Sequence, residues 1–301
     1  MILAPLRGVT IRDFRRVFAA QIREAGFSEA VTPFIAANRG VDPLKDRELR
    51  RGGTPKPPGL LLTPQFIGKD PAALRECLKR ILDAGFVTAD LNCGCPFPMV
   101  RKKGRGSGLL RTPDVLERML EAGCDAMGPG CFSAKVRLGI EDPRELLALM
   151  PVFNRYPLRH LTVHARTARQ MYSGECDLAA FAEIEEAAAM PVVRNGDLSL
   201  DEARGLEAQA AESGVAPRRG GTMVGRGFVR ALGMRDDSPV LFTAWLEAAE
   251  AALAGPRQAV GRAKELLAYW STLPRWRRVW PAARLAASPA ELKAVLPPSR
   301  H

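Results

Sequence analysis

Cys95 stands between Gly94 and Pro96, where the chain must turn sharply and can present a reactive thiol. Lys135 and Arg137 lie one residue apart in an apolar run, as do His164 and Arg166 in another. Asn195-Gly196-Asp197 and Gly225-Arg226-Gly227 place glycine beside polar or charged side chains. Glycines allow backbone N–H groups to approach an anion, and an arginine can pair with it. A lone Gly-Arg-Gly is equally a turn before a helix. An unpaired ammonium such as that of Lys135 is costly to bury unless an anion or a cofactor carbonyl answers it, which an anionic cofactor such as flavin mononucleotide (FMN) would do. Cys77 and Cys124, on apparently helical faces, read instead as small buried hydrophobes.

These residues share a position: each ends a short apolar run followed by Gly, Pro or Asn and an amphipathic stretch. Eight runs recur, at Ile2–Pro5, Glu29–Pro33, Leu60–Phe66, Thr88–Asn92, Ser133–Arg137, His160–His164, Val192–Asn195 and Thr222–Gly225. Between them helical patterns cover Arg12–Ala25, Pro71–Ala84, Pro113–Ala122, Pro143–Phe153, Leu178–Ala189 and Leu200–Glu212. Asp70-Pro71, Thr112-Pro113 and Asp142-Pro143 supply capping starts. The spacing predicts an α/β fold, a (β/α)8 TIM barrel over residues 1–237. In such a barrel the strand C-termini and the loops after them build the active site. The strand ends include Ala4-Pro5-Leu6, Gln65, Asn92 with Cys95, Lys135 with Arg137, His164 with Arg166, and the two glycine clusters. Polar groups at nearly every strand end need partners once buried, so convergence on one pocket explains them best.

From Pro239 to Leu296 the pattern is helical, predicting a C-terminal all-helical domain over residues 238–301. Lys264, Arg275, Arg277 and Arg278 alternate there with Tyr269, Trp270, Trp276 and Trp280. Such a surface can grip RNA by phosphate contact and stacking. Packing of the tryptophans into a helix core is the stronger reading of the segment on its own. The loop Arg101-Lys102-Lys103-Gly104-Arg105-Gly106-Ser107-Gly108 is basic and glycine-spaced, suited to a mobile cover that meets phosphate.

The chain has 301 residues, 44 Lys plus Arg against 33 Asp plus Glu, and a net charge of +11. Near-average apolar and charged fractions exclude disorder, collagen and a pure coiled coil, and the positive excess favours a polyanionic partner. No apolar stretch is long enough to span a membrane and no leader is evident, so a cytoplasmic protein with reduced thiols is expected. Three histidines and no metal-ligand spacing argue against a metal site.

The ordered strand-end set resembles the tRNA-dihydrouridine synthase family, flavin enzymes that reduce uridines of the tRNA D-loop. The matching pieces are Leu3-Ala4-Pro5 with Gly8-Val9-Thr10, Gln65-Phe66-Ile67-Gly68, Leu91-Asn92-Cys93-Gly94-Cys95-Pro96 and Gly106-Ser107-Gly108-Leu109-Leu110. They continue with Lys135-Val136-Arg137-Leu138-Gly139, His164-Ala165-Arg166-Thr167 and Gln170-Met171-Tyr172, Asn195-Gly196-Asp197, and Val224-Gly225-Arg226-Gly227. The tail pattern Gly261-Arg262-Ala263-Lys264 through Leu267 and Tyr269 is most like the bacterial subfamily C, which acts at position sixteen. Leu6-Arg7 departs from the family, which usually has Met after Ala-Pro, and from the Glu common next in that subfamily.

The resemblance implies Cys95 as the general acid, with Asn92, Arg137, Tyr172 and Arg166 on the substrate uracil. It places Lys135, His164, Gln65, Ala4, Pro5 and Leu6 on FMN. Asn195, Gly196, Asp197, Gly225 and Arg226 would hold its ribityl chain and phosphate. NADPH would be the reductant and tRNA the partner of a monomeric enzyme. Two other readings stay open: a flavin reductase of a free pyrimidine, and a tRNA-binding protein whose active site has been retired.

Overall fold

The computed structural model describes residues 1–50, 58–212, 219–253 and 255–297. All strand pairings are parallel, and they close on themselves. β1 is Ile2–Leu3. β2 runs in two segments, Glu29–Val31 and Ile35–Ala36, interrupted around Pro33; β3 does likewise, Leu61–Thr63 and Gln65–Ile67, interrupted at Pro64. Proline has no N–H for the ladder, which accounts for both breaks. The first segments pair with each other, as do the second, and Gln65 pairs onward with Asp90. β4 (Ala89–Cys93), β5 (Phe132–Gly139), β6 (Leu161–Thr167), β7 (Val192–Asn195) and β8 (Arg219–Val224) follow in order, and β8 pairs with β1. Eight strands therefore form the expected barrel.

Its helices are α1 (Arg12–Val17), α2 (Ala19–Glu24), α3 (Pro71–Asp83), α4 (Pro98–Arg101), α5 (Pro113–Met127), α6 (Glu145–Phe153), α7 (Leu178–Ala187) and α8 (Leu200–Glu212). The single helix expected over Arg12–Ala25 is broken at Phe18, which packs its ring 4.4 Å from that of Phe14. Asp70 caps α3 as expected, accepting from the amides of Ala72 and Ala73. Thr112 does not cap α5: its hydroxyl donates to the Leu109 carbonyl instead. α6 starts at Glu145 rather than Pro143, because the Glu145 carboxylate folds back onto the amides of Ile140, Glu141 and Asp142.

Five helices follow β8: α9 (Arg226–Met234), α10 (Ser238–Ala252), α11 (Pro256–Trp270), α12 (Pro274–Leu285) and α13 (Pro289–Ala294). Trp245, Trp270 and Trp276 are buried, in one core with Phe14 and Phe18 of the barrel and with Phe228 and Val229 of α9. The indoles of Trp270 and Trp276 donate to the carbonyls of Val229 and Gly233, so α9 carries the tail. A Cβ on Gly233 would sit 2.5 Å from the Trp270 ring. These tryptophans hold helices together and are unavailable to stack on a base. Among the described residues no helix is long and apolar enough to cross a membrane.

Registered residues of parallel neighbours share a face, so the inward positions can be read off the ladder. Gln65, Asp90 and Ser133 form one such row, Asn92, Lys135, Thr162 and Val193 another, and Arg137, His164, Asn195, Met223 and Ile2 a third. The intervening residues, such as Leu91, Val136 and Val163, face the helices in the main apolar core.

Candidate active site

The turn after β4 is built by a side chain. Asn92 Oδ1 accepts from the amides of Gly94 (3.2 Å) and Cys95 (2.9 Å), while its Nδ2 donates to Gln65 Oε1 (2.8 Å). On the far side, the amide and hydroxyl of Ser107 both donate to the Cys95 carbonyl. Gly106 fits there because a Cβ would lie 2.8 Å from that of Cys95, and its φ of +58° suits glycine. Burial is the main influence on the Cys95 thiol and pushes its pKa up, against the nearby Arg137 and Arg7. The group is thus kept protonated. The basic segment beyond is tied down at Ser107 and through Arg105, which donates to Asn38 Oδ1. Phe97, Met99, Lys102 and Lys103 are exposed on it.

Across the mouth, cations gather. Lys135 Nζ donates to Asn195 Oδ1 at 2.7 Å, and burial, with Arg137 beside it, lowers its pKa to about 7. Asn195 is oriented by its own donation to the Met223 carbonyl. Buried Arg137 donates to the carbonyls of Gly94, Thr167 and Met171, and lies 5.2 Å over the Tyr172 ring; desolvation lowers its pKa to about 10. Arg226 covers the same ring at 5.3 Å. Arg166 and Arg226 share the carboxylate of Asp197, which they hold in its charged form against the cost of burial. His164 sits amid Lys135, Arg137, Arg166 and Arg226, and burial with this charge drives its pKa well down. Its Nε2 faces Arg166 at 3.2 Å; a guanidinium only donates, so the imidazole proton is on Nδ1.

Two glycines permit this closeness. A Cβ on Gly196 would meet Cys176 Sγ at 2.6 Å and His164 Cδ2 at 2.8 Å; one on Gly225 would press on Ala4 and Leu6 at 3.1 and 3.3 Å. The β8 turn thus lies against Ala4-Pro5-Leu6, where Thr10 braces the Ala4 carbonyl and the Leu6 amide. Gly225 precedes α9, whose start has no capping side chain. Ala4, Leu6, Gln65, Asn92, Cys95, Lys135, Arg137, His164, Arg166, Tyr172, Asn195, Gly196, Asp197, Gly225 and Arg226 are thereby linked through contacts at one end of the barrel.

Sequence reasoning missed several neighbours. Arg262 of α11 donates to the Gly8 carbonyl, and Glu265 lies against the same loop near Arg7, its pKa raised by burial. Tyr269, raised chiefly by burial, faces Tyr172 and Arg226. Arg262 and Tyr269 stand in the tail pattern read from the sequence, but nothing there placed them at this loop. Asp90 and Cys176 also went unread. Among the described residues no cluster of His, Cys, Asp or Glu could hold a metal ion.

The family model described as dihydrouridine synthase matches residues 2–267. The chain belongs to the dihydrouridine synthase family. Its relatives include tRNA-dihydrouridine synthase B of Pseudomonas aeruginosa, 31% identical over 205 residues, with 67% of this chain and 59% of that protein covered. A protein named probable tRNA-dihydrouridine synthase, from Rhodobacter capsulatus, is 31% identical over 230 residues, covering 75% of this chain and 67% of its own. The chain thus spans about 59% of the length of the first of these family members. The old yellow enzyme of Trypanosoma cruzi matches in fold with a TM-score of 0.53 at 12% identity, over 76% of this chain and 85% of that one.

Proposed function

We propose that this chain is a tRNA-dihydrouridine synthase that uses FMN and NADPH to reduce a D-loop uridine, at position sixteen, to 5,6-dihydrouridine. The observation that carries the reading is a buried thiol on a doubly braced turn, in the same barrel mouth as a cluster of cations with few carboxylates. That donor set fits FMN. Lys135 and neutral His164 offer donors for ring heteroatoms. Arg226 and the uncapped start of α9 suit a phosphate. Gln65 and Asn195, with Ala4, Pro5, Leu6 and Asp197, complete the contacts. A flavin held there supplies hydride to C6 of the uracil, with NADPH as its reductant.

The rest falls to this chain's own residues. Cys95 Sγ–H gives its proton to C5, completing the addition of two hydrogens across the bond, and bulk solvent reprotonates the thiolate. Arg137, Arg166 and Lys135 place positive charge where the uracil oxygens gain negative charge. Tyr172, half-exposed near two guanidinium groups, offers its ring to the base. Asn92 holds the thiol turn and turns its remaining amide hydrogen to the substrate. A base buried in a tRNA loop must be extruded to reach this mouth. Lys102, Lys103 and the exposed Arg277 and Arg278 of α12 are suited to hold the phosphates meanwhile.

The tail pattern supports position sixteen, while the relatives above carry the B designation, so the position is the finest part of the reading. The test is incubation of the purified flavoprotein with NADPH and an unmodified tRNA transcript, or with free uridine. Gain of two hydrogens by a D-loop uridine, and none by free uridine, is expected. Reduction of free uridine at a comparable rate would favour a small-molecule reductase.

A further inference from the structure

Asp90 lies on the inner face of β4, fully buried, with no role assigned above. Its carboxylate accepts from Ser133 Oγ at 2.7 Å and from Gln65 Nε2 at 2.8 Å. A carboxamide has one donor end and one acceptor end. With Nε2 committed to Asp90, Gln65 turns Oε1 to Asn92, which must answer with Nδ2. Asn92 then has only Oδ1 left to face the amides of Gly94 and Cys95. Reversing either amide would set N–H against N–H, or oxygen against oxygen, at one junction of a buried chain.

We propose that Asp90 is a positioning residue: it sets the direction of this hydrogen-bond chain and, through Gln65 and Asn92, holds the turn that presents the Cys95 thiol. Its importance to catalysis rests on the reading of Cys95 as the acid. Its effect on the turn does not, so the two can fail separately. Burial raises the Asp90 pKa to about 6, yet protonation leaves the direction intact. The acid can give its hydrogen to Ser133, which has the Ala89 carbonyl 3.4 Å away as an acceptor, while the other oxygen still faces Gln65. An asparagine can do the same, its oxygen towards Gln65. A leucine cannot.

Hydrogen exchange at the Gly94 and Cys95 amides, with the alkylation rate of Cys95, reads the turn directly in the flavoprotein and needs no tRNA. Asp90→Leu should raise amide exchange about ten-fold or more, and Asp90→Asn should stay within about three-fold of wild type. An unchanged turn in Asp90→Leu, or an Asn variant as disturbed as the Leu one, would overturn the proposal. A second pair decides the matter even if the leucine variant does not fold. At pH 8, Asn92→Asp sets a carboxylate against Gln65 Oε1, and flipping Gln65 only moves the conflict to Asp90. Adding Asp90→Asn lets the whole chain run the other way. Asn92→Asp should therefore lower the melting temperature by about 3 °C or more, and the double variant should recover at least half of that loss. A double variant no more stable than Asn92→Asp alone would contradict a directional chain.

Discussion

The two walls of the barrel lumen differ in kind. From β3 to β6 the inward side chains are polar: Gln65, Asp90, Asn92, Ser133, Lys135, Thr162 and His164. From β7 round to β2, Val193, Met223, Ile2, Ala4 and Val31 form a small apolar cluster of their own, beside only two inward polar residues, Asn195 and Glu29. Filling a lumen needs only the second kind, since apolar burial contributes about 25 cal/mol per Å² and asks for no partner. Groups of the first kind lose their water and, the unpartnered Thr162 hydroxyl apart, are tolerable mainly because another is bonded to them, as along Ser133, Asp90, Gln65 and Asn92. One wall keeps the barrel closed, and the other is shaped for a ligand.

That division can be broken in several ways. Cys95→Ala, at the rim of the polar wall, should cut dihydrouridine formation by about 10²- to 10⁴-fold while flavin colour and tRNA binding remain, because only proton delivery is removed. Colourless protein after purification would show the thiol turn to be structural. On the apolar wall, Met223→Ala should cost about 2–5 kcal/mol of stability in denaturant unfolding, through the cavity it leaves. Turnover by the surviving folded fraction should change little. Lys135→Met keeps length but removes the charge and the bond to Asn195, so flavin affinity should fall about ten- to a hundred-fold by fluorescence titration. Unchanged affinity would remove Lys135 from the cofactor site.

The smallest expected effect is a pH dependence. With its pKa raised to about 6, Asp90 binds a proton more readily folded than unfolded. Its burial as an anion therefore weakens the fold above that pH, and the penalty disappears as the pH falls towards 4. Asp90→Asn carries no such charge, so its melting temperature relative to wild type should climb by about 3 °C between pH 4 and 7 and then level off. A constant difference across that range would place the Asp90 pKa near its ordinary value.

Much of the barrel was legible because strand periodicity, turn residues and the Asp70-Pro71 cap all spoke for it. Misreadings came where a side chain outbid a local rule: Glu145 shifted the start of α6, and Phe18 broke the first helix to enter the core. The polar strand ends pointed to one end of the barrel, since polar residues recurring at the same end of six strands are hard to explain otherwise. Asp90 was hidden because a buried carboxylate within a strand has the same local signal whether it bonds one neighbour or organises four. Glu265 was hidden, and Tyr269 was read only as part of the basic, aromatic tail, because nothing local says that α11 returns to the loop after β1.

The central claim is that this thiol, in this mouth, reduces a tRNA uridine. The direct test maps dihydrouridine by position in the tRNA of cells lacking the gene, then after restoring the intact protein or Cys95→Ala. Loss of dihydrouridine at one D-loop position, sixteen on this account, and its return only with the intact thiol is the expected result. Unchanged dihydrouridine at every position, or equal restoration by Cys95→Ala, would contradict it.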